Sequence, residues 1–476
     1  MSQGTDSRSV HSLQAQTSRL DSVSHTWRAL RHRNFRLFFF GQSTSLIGTW
    51  MTRLATAWLV YRLTHSALLL GVVSFSGQIV SFLLGPFAAV WVERLERRRL
   101  LVGTQVAAAV QSLALAALTL AHAITLGEII ALMVFQGLIN AFDMPARQSF
   151  LVQMVEDRGD LANAIAINSS MVNGARLIGP AIGGLIIAAF GEGWCFLIDG
   201  VSYLAVIASL LVMRLEPLRG RGQAGSSLLE ELREGWDYVR GFRSIRTILL
   251  ILALTCLMGW PYSVLLPVFA GTVLHGDAHT LGWLTAASGV GAFSSALALA
   301  MRRSIAGLTR TLQAAVALLG VGLILFGLSH VLWLSLALMV VVGFGLIQAA
   351  AVCNTIIQSL VSDDKRARVM GYYTMAFFGA APFGSLMAGA LAQRIGAPHT
   401  VMLTGAFCIA GAAWFGLQLP KIRPEMRASY REKELSATRA AAIETHMSVE
   451  QRSGAAAHDG RRASSAAPTL DENNRA

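Results

Sequence analysis

The chain alternates between long apolar runs and short polar intervals. A helix that spans a bilayer needs about 20 mostly apolar residues, and twelve runs reach that length, six in each half. They fall at 35–62, 68–92, 100–121, 126–147, 161–190, 194–214, 246–271, 281–301, 309–329, 332–356, 369–393 and 399–419. The runs lack the period-two alternation of transmembrane strands. The pattern therefore predicts an all-α membrane protein with twelve transmembrane helices.

The polar intervals divide the chain into five predicted parts. These are an N-terminal tail at 1–34, a first six-helix bundle at 35–214, a linker at 215–245, a second bundle at 246–419 and a disordered tail at 420–476. The linker contains apolar residues on one helical face: Leu228, Leu229, Leu232, Trp236 and Val239. This spacing predicts an amphipathic helix on the inner membrane surface.

The composition excludes most soluble classes. Apolar residues make up 54% of the chain and charged residues 14%, whereas soluble proteins carry about 25% charged residues. The net charge of +12 would suit nucleic-acid binding if it were spread over a soluble surface. The arginines instead follow the ends of apolar runs, so no nucleic-acid partner is expected.

The sequence shows no pattern of an enzyme or of a metal protein. The cysteines at 195, 256, 353 and 408 are far apart, with no metal-ligand spacing. A nucleotide-binding loop of the G-x-x-x-x-G-K-[ST] type is lacking as well. We expect no metal, no cofactor and no catalytic residue.

The arginine distribution predicts the orientation in the membrane. Arginines are concentrated in the N-terminal tail and in every second connection, namely 93–99, 147–160, 214–246, 302–310 and 363–368. By the positive-inside rule both termini lie in the cytoplasm. The polar N-terminal stretch is not a cleavable signal, and the inner (plasma) membrane is the expected location.

Two motifs resemble the major facilitator superfamily. The segment A-V-W-V-E-R-L-E-R-R-R at 89–99 is similar to its G-x-x-x-D-R-x-x-R-R loop, with Ala89 for the glycine and Glu93 for the aspartate. The resemblance implies a latch between the bundles that also uses Arg94, Arg97 and Arg98. The fifth run contains G-A-R-L-I-G-P-A-I-G-G, similar to a motif of drug:proton antiporters. Its small and kinking residues are Gly174, Gly179, Pro180, Gly183 and Gly184.

Three further segments resemble one branch of that superfamily, which contains the enterobactin exporter and related macrolide and multidrug efflux proteins. They are FDMPARQSFL at 142–151, LANAIAIN at 161–168 and NTIIQSLVSDDKRARVMG at 354–371. The resemblance covers about residues 27–420. It implies two pseudo-symmetric bundles, a monomer and export of a small organic molecule driven by proton entry.

Four ionisable residues lie within predicted spans: Arg53, Asp143, Arg176 and Asp199. A charged side chain at the bilayer centre costs about 2.5–3.5 kcal/mol on insertion scales, so each is a functional candidate. Asp199 is the first candidate for proton coupling and Asp143 the second. Either arginine could pair with Asp199 or bind an anionic substrate. The alternative for all four is a structural ion pair between helices.

The remaining candidates are polar or aromatic residues in the spans. Candidates for substrate contact are Asn140, Asn173, Trp50, Trp58, Trp260 and Tyr262. Candidates for a cytoplasmic gate are Pro145, Arg147, Arg366 and Arg368. The amides could instead bond helices together, and the tryptophans could lie in interfacial belts. An importer on the same scaffold and a membrane-bound enzyme or sensor remain as alternatives to an exporter.

Overall fold

A computed structural model describes residues 28–151, 153–155, 157–213, 228–302, 304, 307–362, 365–429 and 431. Within these residues the chain is helical and contains no strand. The helices of the first half are α1 (Arg33–Thr64), α2 (Ala67–Arg94), α3 (Arg97–Leu120), α4 (Leu126–Leu151), α5 (Leu161–Phe190) and α6 (Glu192–Val212). A linker helix follows, α7 (Leu228–Gly241). The second half contains α8 (Arg243–Val273), α9 (Ala278–Ala300), α10 (Leu308–Leu328), α11 (Leu332–Leu360), α12 (Arg366–Ile395) and α13 (Ala397–Ser429).

Eleven helices of the described residues are long and apolar enough to span a membrane. The predicted first span, α1, is not among them, because it carries four arginines and several serines, threonines and glycines between its apolar residues. Its 32 residues nevertheless extend about 48 Å, and it packs against α5 and α6. The all-α membrane fold predicted from the apolar runs is confirmed, and α1 completes the twelve long helices.

The pairing of the helices is pseudo-symmetric. In the first half α4 packs against α2 and α3, and in the second half its counterpart α11 packs against α9 and α10. The halves meet where α2 packs against α12 and α5 against α9. The second helix of each half thus packs against the fifth helix of the other. This arrangement is consistent with internal structural repeats, which many transporters contain.

Alternate connections define the two ends of the helix bundle. We call the end with the connections α2–α3, α4–α5, α6–α8, α9–α10 and α11–α12 the arginine-rich end. The other is the opposite end. At the arginine-rich end Asp160 precedes α5, forms an ion pair with Arg28 and lies 3.1 Å from Nε2 of His32. The bonds from Arg28 and His32 hold the pKa of Asp160 below its ordinary value. They also attach the segment before α1 to the start of α5.

Helix α8 is irregular in its middle and at its end. Wide π-helical turns at Thr255–Gly259 and Phe269–Val273 flank a short α-helical segment at Tyr262–Val268. Pro261 and Pro267 lie in this region. Each proline removes one backbone donor, and the wider turns accommodate the break. α8 therefore departs from a regular α-helix beside Trp260.

The linker helix α7 packs against the start of α12, and its predicted position on the membrane surface stays a prediction. Glu234 pairs with Arg368 at 2.6 Å, and the ring of Trp236 lies 6.0 Å from that of Tyr372. The buried residue Val239 lies on the same helix. These contacts join α7 to the start of α12, because that helix offers both a charge and an aromatic ring. The side chains of the predicted Leu228, Leu229 and Leu232 lie outside the described residues.

The last helix is longer than predicted. The helical segment extends to Ser429, whereas the sequence predicted an end at 419. The described residues up to Gln418 form one compact unit, and those from Leu419 onward form a second. Ile422 and Met426 are buried in the second. The predicted disordered tail otherwise lies outside the described residues, apart from Arg431.

Glycines allow α9 and α11 to approach closely. A methyl group on Gly343 would lie 2.0 Å from the carbonyl oxygen of Ser288. We predict that Gly343→Ala lowers the thermal unfolding temperature of the purified protein, since overpacking costs about 1–3 kcal/mol. Gly85→Ala is the matched control, because no atom lies within 4 Å of its added methyl group. Equal unfolding temperatures of the two variants would contradict this packing.

Candidate functional site

Asp143 is a fully bonded carboxylate. It is buried in α4, and its Oδ1 accepts hydrogen bonds from Thr104 Oγ1 at 2.9 Å and Gln105 Nε2 at 2.7 Å. Its Oδ2 forms an ion pair with Arg147 one turn along the helix. Every oxygen of this carboxylate therefore has a partner. We interpret the cluster as a structural link between α3 and α4.

Asp199 is bonded on one side only. It is 1% exposed in α6, and its Oδ2 accepts a hydrogen bond of 2.7 Å from Ser112 Oγ. Its Oδ1 makes no hydrogen bond with the described residues. A methyl group on Gly48 of α1 would lie 2.7 Å from this oxygen. Glycine at position 48 thus gives the carboxylate its space against α1.

Further polar groups surround Asp199. Thr49 and Thr52 of α1 neighbour the carboxylate, and the positive charge of Arg53 acts on it. The Oγ1 of Thr52 is buried and makes no hydrogen bond with the described residues. Tyr203, one turn along α6, places its hydroxyl 3.4 Å from Thr49 Oγ1. A proton on Oδ1 would therefore find hydroxyl acceptors beside it.

The two arginines of the spans lie on aromatic faces. The guanidinium carbon of Arg53 lies 4.9 Å from the ring centroid of Trp50. That of Arg176 lies 5.6 Å from the rings of both Trp50 and Trp260. Trp50 belongs to α1 and Trp260 to α8, so Arg176 of α5 lies between the two bundles. Gly179 makes this possible, because a methyl group there would lie 2.6 Å from Cβ of Trp50.

Neither arginine forms an ion pair with a side chain of the described residues. The direct pairing with Asp199 that the sequence left open is therefore not present. Arg53 is also exposed at the middle of its helix. Both guanidinium groups consequently remain available to a ligand between the bundles.

Aromatic residues extend the site into the second bundle. The ring of Trp260 meets that of Phe377 edge-on at 5.7 Å, and Phe377 stacks on Tyr373 at 6.1 Å. Both residues belong to α12, and the sequence analysis missed them. Their spacing of four residues in YYTMAFF places two rings on one helix face, which was the available signal.

The other predicted substrate contacts lie elsewhere. Tyr262 is 3% exposed and its hydroxyl lies 2.6 Å from Ser288 Oγ, so it lies inside the second bundle instead of lining the site. Trp58 contacts Tyr61 toward the opposite end. Asn140 accepts a hydrogen bond from Gln136 of its own helix. Asn173 donates one to the Ser169 carbonyl, also within its helix.

Contacts join the bundles at the opposite end. The hydroxyl of Tyr61 lies 2.7 Å from Thr272 Oγ1, and Ser66 Oγ donates to Gln393 Oε1 at 3.1 Å. A methyl group on Gly184 would lie 3.0 Å from Cα of Gly282. The glycine–proline motif of α5 lies at the same contact. Gly183 packs against α1 and Gly184 against α9. Pro180 is buried beside Gly282.

The predicted latch and gate residues lie at the arginine-rich end. Arg98 donates to the Leu211 carbonyl at 2.6 Å, which joins α3 to the end of α6. Arg97 begins α3 and Arg366 begins α12. Pro145 accepts a hydrogen bond from Ser149 through its carbonyl oxygen. Of the motif, the side chains of Ala89, Glu93 and Arg94 lie outside the described residues, so the latch stays a prediction.

The comparisons with known proteins agree with this architecture. Residues 24–455 match the family described as transmembrane secretion effector, within the major facilitator superfamily. The chain belongs to this family. It is 28% identical to the multidrug efflux pump Tap of Mycolicibacterium fortuitum, over 81% of the chain and 96% of that pump. It is 26% identical to the staphyloferrin A transporter of Staphylococcus aureus, over 79% and 95%.

Solved structures share the fold. The nucleoside transporter NupG superposes with a TM-score of 0.61 at 14% identity, over 82% of this chain and 99% of NupG. A POT family transporter in complex with 5-aminolevulinic acid superposes with a TM-score of 0.66 at 14% identity, over 82% and 96%. The resemblance to the major facilitator superfamily is therefore confirmed, and the chain is a transmembrane transporter of that fold.

The contact between Gly184 and Gly282 predicts a conformational effect. We expect Gly184→Leu to separate the bundles at the opposite end, because the side chain has no room against α9. Nitroxide labels on Ala123 and His330, both exposed at that end, report the distance by double electron–electron resonance. The expected result is a shift of the distance distribution to longer values.

Gly174→Leu is the control for this variant. It lies on the same helix, and no atom lies within 4 Å of an added methyl group. Its distance distribution should match that of the parent protein. A Gly184→Leu distribution identical to that of the control would rule out the proposed closure.

Proposed function

We propose that the protein is a proton-coupled exporter of a small organic molecule that works by alternating access as a monomer in the inner membrane. The observation that carries this proposal is the arrangement of three groups in the first bundle. Asp199 is buried with a free Oδ1, Arg53 neighbours it, and Arg53 contacts the tryptophan that lies between the bundles. A proton site thus adjoins a substrate site.

The closure at the opposite end supports loading from the cytoplasm. The contacts of Tyr61 and Gly184 join the bundles there. The arginines of the arginine-rich end favour the cytoplasmic face. In this arrangement the site would receive its substrate from inside, as export requires.

Relatives support the direction of transport. Tap is named an efflux pump, and a further relative, 21% identical over 80% of the chain, is macrolide efflux protein A of Streptococcus pyogenes. Rocking of the two bundles about the α2–α12 and α5–α9 contacts would then expose the site to the outside. The broken helix α8 carries Trp260 and offers a place for local bending.

The charge of Asp199 links the proton to the substrate site. When Oδ1 takes up a proton, the negative charge beside Arg53 disappears and the net charge of the site rises by one. Any charged or strongly polar substrate would respond to this change. Asp143 offers no such link, because all its bonds are made within α3 and α4.

We predict that Asp199→Asn abolishes the dependence of transport on a pH gradient while substrate binding persists. The amide has the size of the carboxyl group and still accepts from Ser112, but it cannot take up or release a proton. Flux of a tested drug or siderophore in proteoliposomes, with and without an imposed gradient, measures the effect. Asp237→Asn, an exposed carboxylate of α7, is the control. Gradient-driven flux that survives in Asp199→Asn would exclude this residue as the coupling site.

The proposed orientation has an independent test. We predict that green fluorescent protein fused to the C-terminus fluoresces and that alkaline phosphatase fused there is inactive, since these reporters need the cytoplasm and the exterior, respectively. A fusion of each reporter within the α3–α4 connection, near Ala123, should give the reverse pattern. An active phosphatase at the C-terminus would contradict the assignment of the arginine-rich end to the cytoplasm.

A further inference from the structure

The site between the bundles contains two positive charges in close proximity. Arg53 and Arg176 share the ring of Trp50, at 4.9 and 5.6 Å. They are close enough to repel one another. Neither forms an ion pair with a side chain of the described residues. Two like charges held together within a membrane are costly, so a structural role alone does not explain them.

The surrounding residues offer little compensation. The acidic groups of the described spans are committed elsewhere: Asp143 to Arg147, and Glu192 to Arg62 at 2.9 Å. Asp199 neighbours Arg53 but is 1% exposed and faces α3 and Gly48. A substrate between the bundles therefore meets guanidinium groups and aromatic rings, and the carboxylate lies behind them.

From this geometry we propose that the transported molecule is an organic anion, with a carboxylate or a similar group that binds between Arg53 and Arg176. Its apolar or aromatic part lies against Trp260 and Phe377. Guanidinium groups present paired donors that match a carboxylate, and the rings supply apolar contact. The inference rests on the proposed transport function and specifies its substrate class.

The charge of the transported molecule affects the free energy of its export. The membrane potential, negative inside, drives an anion outward. An organic cation would have to leave against both the potential and the two arginines.

The test compares three ligands that differ mainly in charge. They are 2-naphthoate, the neutral 2-naphthamide and the cationic 2-naphthylmethylammonium, with binding to the purified protein measured by titration calorimetry. We expect the carboxylate to bind at least tenfold more tightly than the amide and the cation to bind more weakly still. Arg53→Gln and Arg176→Gln should each lower the affinity for 2-naphthoate about tenfold and leave that for 2-naphthamide nearly unchanged.

A control completes the experiment. Arg394→Gln, at an exposed position at the end of α12, should bind all three ligands like the parent. Equal or tighter binding of the cation, or a carboxylate affinity that both Gln variants retain, would overturn the anion site.

Quenching of tryptophan fluorescence tests the charge without an organic ligand. Iodide should quench the emission that depends on Trp50 and Trp260 more strongly than caesium does, and the difference should disappear in the double variant Arg53→Gln/Arg176→Gln. The variant Trp50→Phe/Trp260→Phe identifies this emission. Equal quenching by the two ions would contradict the proposed anion site.

Transport assays distinguish the proposed anion site from the proposed export function. Gradient-driven export of cationic compounds alone would leave the exporter intact and refute the anionic substrate class. Binding of 2-naphthoate that depends on both arginines, with no flux of any compound, would support the anion site and refute the transport proposal.

Discussion

The cost of placing charge inside a bilayer governs this structure. The four ionisable residues of the spans each need a partner, and the two carboxylates and the two arginines are partnered in different ways. Asp143 has Arg147 and two side-chain donors, whereas Asp199 has Ser112 on one side only. The two arginines have aromatic faces, an interaction of about 0.5–2 kcal/mol that does not neutralise their charge. We interpret Asp143, whose hydrogen bonds are complete, as structural. Asp199 and the two arginines, whose bonding is incomplete, form the candidate site.

Small residues make these arrangements possible. Gly48 leaves room for the Asp199 carboxylate, and Gly179 lets α5 approach Trp50. Gly184 and Gly282 then bring α5 and α9 together at the opposite end. Glycines of one helix, α5, thus shape both the charged site and the contact about which the bundles would move. A change at the contact would therefore alter the position of Arg176 relative to Trp260, and access and binding would be coupled through α5.

The sequence alone predicted much of this. Apolar runs gave the positions of the helices within a few residues, and charges inside those runs identified Arg53, Arg176 and Asp199. It could not tell Trp50 from Trp58, or Trp260 from Tyr262, since the rotation of each helix about its axis depends on packing. The ring of Phe377 was missed for the same reason.

The contact of α7 with α12 depended on a particular partner, Tyr372, that periodicity does not reveal. The length of α13 was underestimated because its polar end, with two prolines, did not look like a span.

The central claim is that the site between the bundles is reached from the arginine-rich end while the opposite end is closed. Asn173 lies one turn from Arg176 toward that end of α5, and the four native cysteines are buried. The most direct measurement is therefore the rate at which Asn173→Cys reacts with a membrane-impermeant thiol reagent, in inverted and in right-side-out vesicles. The account predicts fast modification when the reagent meets the cytoplasmic face, in inverted vesicles, and slow modification in right-side-out vesicles. Faster modification from the outer face would contradict it.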